Sequence, residues 1–142
     1  MDQRIIYPTD NGVAVVIPAP ECGLTIEQIA DKDVPAGKPR RIVDVSDLPS
    51  DRTFRNAWEY SEQGAVEANL DKAKLIAHDA RRAARAKEFA PYDEIIMIQI
   101  PGNDAVAAEA ERQNIRDKYA ALQVQMDAAQ TVEELKNLMP VA

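Results

Sequence analysis

Proline placement divides this chain more sharply than any other feature. Six of its nine prolines, at positions 8, 18, 20, 35, 39 and 49, fall in the first 49 residues. A proline fixes φ and carries no amide hydrogen, so no long helix runs through that stretch, and any strand there is short or lies at a sheet edge. From residue 71 onward the chain is instead rich in Ala, Leu, Lys and Arg, all good helix formers. The expected fold class is therefore α+β. A small N-terminal β-rich unit occupies 1–60, with a hairpin, a third strand and short helices. A polar linker with Gly64 inside it covers 61–70. An antiparallel helical hairpin with a short terminal helix fills 71–142.

The front unit reads as follows. Arg4 to Tyr7 and Val13 to Ile17 are two strands, the first ended by Pro8. Asp10-Asn11-Gly12 lies between them, and Asn-Gly takes the positive φ of a tight hairpin turn at low cost. Thr25 with Gln28 fits the capping box of a short helix over about 26–32, stopped by Val34-Pro35-Ala36-Gly37. Arg41 to Val45 alternates as a third strand. Phe54, Ala57 and Trp58 then stand at helical spacing. Trp58 is the sole tryptophan, and its bulk together with that of Phe54 makes them the anchor of this unit. Sequence leaves open whether that anchor faces the core or a partner.

In the back half, Asp71 to Ala90 is a long helix that Pro91 either kinks or interrupts. An apolar run, Ile95 to Ile100, ends at Pro101-Gly102. Asp104 to Ala129 is a second long helix. Its Ile115, Tyr119, Leu122, Met126 and Ala129 recur at heptad spacing, a stripe that packs on the first helix. Thr131 to Glu134 reads as a further capping box for a short last helix, closed by Pro140.

Composition and charge limit the function. The chain has 142 residues and an apolar fraction of 46%, but much of that is alanine and aromatics are 5%. A buried alanine removes little surface from water, so such a core is thin and gains from a partner or from self-association. The net charge of −7 repels phosphate backbones, which disfavours nucleic-acid binding. No apolar run approaches the roughly 20 residues of a membrane span, and the first residues lack the pattern of a signal peptide. The reading is a chain made in a cytosol, with neither nucleic acid nor membrane among its partners.

Catalytic and metal patterns are sparse. His78 is the only histidine, and Asp79 and Lys74 beside it make no recognised site. There is no Gly-rich phosphate loop and no zinc spacing, and Asp31, Asp33, Asp44, Asp47 and Asp51 lack the order of a calcium loop. An enzyme is not expected, and no cofactor or metal is implied. Three features read as docking surfaces instead. They are Phe54 with Trp58, the basic cluster Arg81, Arg82, Arg85 and Lys87, whose alternative reading is a solvated face paired with Asp79 and Glu88, and the helical stripe around Ile115, Tyr119 and Leu122.

Several blocks resemble a family of small tailed-phage proteins associated with the tail and tail fibre. They are Ile5-Ile6-Tyr7, Ile17 to Pro20, Lys32 to Gly37, Arg41 to Asp44, Asp47 to Arg52 and Phe54 to Glu59. Asp71 to Lys74 ahead of His78, Arg81, Arg82 and Arg85 is similar as well. So is Thr131 to Lys136, which resembles the last helix of tail-fibre assembly proteins. The most specific part is DRTFRNAWE, Asp51 to Glu59. Ile95 to Ile100 departs from that pattern in being more apolar. The resemblance implies a phage tail context, with tail-fibre or baseplate proteins as partners, and brings no catalytic residues; a homo-oligomer in the virion, made in the host cytoplasm, is the expectation taken from it together with the thin core. It fits both a retained structural protein and an assembly chaperone that leaves.

Cys22, the single cysteine, sits in Pro20-Glu21-Cys22-Gly23, a loop context. One reading is a small apolar residue; the other is a thiol that, having no internal partner, cross-links two chains once outside a reducing cytosol. On the second reading, non-reducing electrophoresis of the mature assembly shows a cross-linked band that reductant removes. A band position indifferent to reductant would end that reading.

Overall fold

A computed structural model of the chain describes residues 2–98 and 105–140. The chain is α+β. Five strands, β1 Gln3–Thr9, β2 Gly12–Val16, β3 Arg41–Asp44, β4 Trp58–Glu59 and β5 Glu67–Ala68, accompany the helices α1 Ile26–Asp33, α2 Leu70–Ile98, α3 Ala105–Ala128 and α4 Val132–Asn137. They form two compact units, Met1–Ala73 and Lys74–Ala142.

In the first unit β1 is the centre of an antiparallel sheet ordered β2-β1-β3. The strand runs through Pro8 instead of ending there, with Pro8 opposite Val13 and Thr9 opposite Gly12. The reason lies in the ladder. Val45 N–H donates to the Asp2 carbonyl at 2.8 Å. Antiparallel bonds alternate, so Arg4, Ile6 and position 8 face the β3 side. β3 pairs only with Gln3 to Ile6. Position 8 thus lies at an open edge, where a missing amide hydrogen costs nothing.

The turn is centred on Asp10-Asn11, one residue earlier than expected, and Gly12 is the first residue of β2. Gly12 is still required. Its φ is +122°, and a Cβ there would stand 3.0 Å from the Trp58 carbonyl oxygen.

Alternation along β1 sends neighbouring isoleucines to opposite faces. Ile5 packs with Ile29, Ala30 and Val34 of α1 and the residue after it. Ile6 packs with Val13, Val43, Trp58 and Val66. The Thr25–Gln28 capping box of α1 forms as expected, with Gln28 N–H on Thr25 Oγ1 at 3.2 Å and Thr25 N–H on Gln28 Oε1 at 2.9 Å.

Trp58 is not on a helix. A 3₁₀ turn, Arg55–Ala57, leads into β4, and Trp58 pairs with Ala68 of β5. The polar segment expected to be a linker is therefore folded into the first unit. Val66 is buried in the Trp58 cluster and donates its N–H to the Asp47 carbonyl at 2.8 Å. Arg41 holds the loop before it, donating to the carbonyls of Ser61 at 2.6 Å and Gly64 at 3.0 Å. Asn69 ends the segment by capping α2, its side-chain oxygen accepting the Lys72 N–H at 3.0 Å.

In the second unit α2 and α3 pack as an antiparallel hairpin, with Glu88 meeting Lys118 and Asp93 meeting Arg112. α2 continues through Pro91 to Ile98. A helix-interior proline costs about 3 kcal/mol in general. Here Lys87, whose carbonyl loses its donor, and Pro91 both lie on exposed helix surface, where water can replace that bond. The apolar run is thus helical as far as Ile98. Its continuation to Pro101-Gly102, and the start of α3 at Asp104, lie outside the described residues. The expected stripe of α3 is buried at Ile115, Tyr119, Met126 and Ala129 and half-buried at Leu122. Thr131 caps α4 by accepting the Glu134 N–H at 3.1 Å, but Glu134 reaches back to the Gln130 N–H at 2.9 Å, one residue before the box position.

Trp58 retains 1% of its exposure. Trp58→Ala is expected to destabilise the chain by roughly 3–5 kcal/mol. A denaturation midpoint unchanged by the substitution would contradict its place in the core.

Candidate functional site

The residues that sequence pointed to as contact surfaces go to different places. Phe54 and Trp58 are both buried. The choice between core and contact surface falls to core, and neither is available to a partner in the folded chain. Arg52 and Arg55 cover the indole, the nearer guanidinium 4.3 Å from the ring centroid. Burial, with the Arg52 charge beside it, lowers the Arg55 pKa. What the surface presents above Trp58 is therefore guanidinium.

The basic cluster on α2 does not act as one patch. Arg81 is buried, its Nε donating to His78 Nδ1 at 3.3 Å. Since Nδ1 accepts, Nε2 carries the hydrogen and donates to Asp127 Oδ1 at 2.8 Å. Lys74 Nζ joins at the Asp127 carbonyl, 2.8 Å away. His78 thus ties the two long helices together through Arg81 and Asp127. Arg82 is exposed and pairs with Asp79 at 2.6 Å. Arg85 lies 5.1 Å above the Phe89 ring.

Phe89 is the centre of a cluster that sequence reasoning missed. Arg112 and Arg116 also approach its ring, at 5.7 and 5.9 Å. Two carboxylates hold these arginines. Glu109 binds Arg112 at 2.7 Å and Arg116 at 2.8 Å, and Asp93 binds Arg112 at 2.8 Å. The spacing of Glu109, Arg112 and Arg116 on one helix was a readable signal. The approach of Phe89 and Asp93 from α2 was not. Arg116 and then Arg112 hold the Glu109 pKa below its ordinary value. Lys118 and then Tyr119 do the same for Glu88, while burial and the Glu88 contact raise the Tyr119 phenol.

The stripe residues Ile115 and Tyr119 are buried inside the hairpin unit, and Leu122 is half-buried, so this stripe closes the hairpin and presents little to a partner. A cleft of about 610 Å³ is lined by Ala80, Ala83, Ala84, Lys87, Glu88, Tyr119 and Pro140. Its volume suits a small molecule, but a ligand site also needs converging polar groups. Here Glu88 Oε1 accepts from Lys118 Nζ at 2.8 Å and Oε2 is buried with no hydrogen-bond partner among the described residues, a single unpaired oxygen and not a converging set. Among the described residues no group of three or more His, Cys, Asp or Glu could hold a metal. Cys22 is exposed and free, 3.9 Å from the Leu24 carbonyl.

The apolar surface that remains is aliphatic. In the first unit Ile17, Leu24, Ile42 and Val45 are exposed. In the second, Leu75, Ile98 and Val124 are exposed, as is Met97 at 83%. No protein-family model, curated protein or solved structure matches the chain.

The folded-state pKa of Glu109 is lowered, so its contribution to stability is complete above the ordinary value of 4.5 and is lost as pH falls through the folded value. Urea midpoints should drop between neutral pH and about pH 3, and the drop should be smaller in Glu109→Gln. An identical acid dependence in both proteins would show that the arginine pairs do not hold this carboxylate.

Proposed function

We propose that this chain is a non-enzymatic structural protein of a phage tail, attached to the tail fibre or baseplate through protein–protein contacts and self-associating there. It is made in the host cytoplasm and retained in the virion. The observation that carries the reading is the Asp51 to Glu59 block, DRTFRNAWE, together with the scattered similar blocks on either side of it. Its structural setting is in keeping with this. Trp58 and Phe54 are core residues, which accounts for the block as the element that makes the N-terminal unit fold.

The contacts then fall to the aliphatic side chains that the fold leaves in water. Single exposed apolar residues are ordinary on any surface. Ile42, however, is exposed on β3, an edge strand of its sheet, and Val45 is exposed in the 3₁₀ turn Val45–Asp47 that follows. Neither nucleic acid nor a bilayer is a proposed partner. The net charge of −7 opposes the first. As to the second, no helix among the described residues is long and apolar enough to cross a membrane.

One observation favours a second reading, a tail-fibre assembly chaperone that binds fibre subunits and then leaves. Met97 and its neighbour Ile98 are exposed on a helix, and flexible methionine suits transient apolar contacts.

Mass spectrometry of purified virions separates the two. Stoichiometric presence of the chain is expected, and its absence would reject the structural role in favour of the chaperone. Absence from infected cells altogether would reject both.

A further inference from the structure

We infer that the free edge of β3 is a homodimer interface, at which two copies pair antiparallel through Arg40 to Asp44 about a two-fold axis at Ile42. The self-association in the proposed tail protein would then have a defined place, and the inference rests on that part of the reading.

The ladder shows which backbone groups are available. The bond from Val45 N–H to the Asp2 carbonyl fixes the alternation along β3. Arg41 and Val43 direct their backbone groups to β1, and Ile42 and Asp44 direct theirs outward. The Asp44 N–H is already taken by Asp47 Oδ2 at 3.3 Å. The Ile42 N–H and carbonyl have no backbone partner among the described residues. Its side chain is 38% exposed at the open end of the sheet face that α1 covers over Ile5. An edge of this kind is a template for another strand.

A second copy fits that template better than an unrelated strand does. In an antiparallel pair, directly opposed residues share a face. A two-fold axis normal to the sheet preserves the faces, so residues of the same parity must oppose each other. Centring the axis on Ile42 sets Ile42 against Ile42 of the second copy. The two N–H groups then donate reciprocally to the two carbonyls. The same register sets Arg40 against Asp44 of the second copy, twice. Arg40 already binds Asp31, but a guanidinium has five donors and can serve a second carboxylate. Asp44 accepts the Ser46 N–H on Oδ1 and a bond from the Ser46 hydroxyl, and a carboxylate with about four lone-pair sites can accept a further donor. In this register the Asp44 amide, held by Asp47, leaves each Arg40–Asp44 pair with one of its two backbone bonds, while the reciprocal pair at Ile42 is complete; moving the axis to Val43 would put Ile42 against the Asp44 carboxylate and leave no complete pair. β3 is four residues long, so the dimer is expected to be reversible and concentration-dependent.

The test uses the full chain in sedimentation equilibrium. Wild type should associate to a dimer as concentration rises. Ile42→Glu and Ile42→Lys each place like charges on the axis, and each should weaken association by at least about tenfold. An equimolar mixture of the two variants should recover the dimer, because only a two-fold axis at this position brings both side chains face to face. Recovery fails if the interface lies elsewhere, and a mixture that stays monomeric overturns the inference. So does a wild type that is monomeric throughout. Circular dichroism checks that both variants fold. If they do not, amide exchange on wild type decides: Ile42 should be protected at high concentration and exchange freely at low, and protection independent of concentration would overturn the inference. The outcomes separate from those of the tail assignment. A monomer present in virions removes this interface alone, and a dimer absent from virions removes only the structural tail role.

Discussion

Burial of the Trp58 indole is the interaction on which the N-terminal unit depends. The surrounding side chains, Ile6, Val13, Val43 and Val66, come from four separate segments, and none of those segments has enough apolar surface to fold alone. The indole also explains the least replaceable glycine. Gly12 lies so close to the Trp58 carbonyl that a side chain would strike backbone. Prolines have already removed long helices and long strands from this half. A core assembled from short pieces around one large ring is what remains possible.

The helical unit solves the problem of a thin core differently. Alanine-rich helices bury little area per residue, so apolar packing contributes less than it would in a leucine-rich bundle. The α3 stripe supplies Ile115, Tyr119 and Met126, and charged pairs cross from helix to helix beside it. Exposed pairs of this kind contribute roughly 0–1 kcal/mol each. Their number on the hairpin matters through geometry as much as energy. His78 with Asp127 at one end and Arg112 with Asp93 further along fix which turns of the two helices meet.

The proposed contacts draw on what these two arrangements leave unused. The aromatic and stripe residues that looked like contact surfaces are consumed in folding. The basic cluster is divided among a buried histidine partner, a local ion pair and a phenylalanine ring. What stays in water is Ile42 on the edge strand β3, Val45 in the turn after it, and isolated apolar side chains on the helices.

Sequence by itself determined the α+β class, the order of β1, β2, α1 and β3 and of the later helices, the Thr25 capping box and the α3 stripe. These depend on local periodicity and on side chains that bond within one turn of their own backbone. Tertiary structure alone decided the rest. It carried β1 through Pro8, because the open edge there depends on where β3 stops. It folded 61–69 into the core, because Val66 and the Arg41 contacts with Ser61 and Gly64 involve distant segments that local polarity does not reveal. It kept α2 continuous at Pro91, where water can meet the lost bond. It also placed Trp58 inside and Ile42 outside. Both are large apolar residues on short strands, and only the position of each strand within its sheet, central to a cluster or at an edge, distinguishes them.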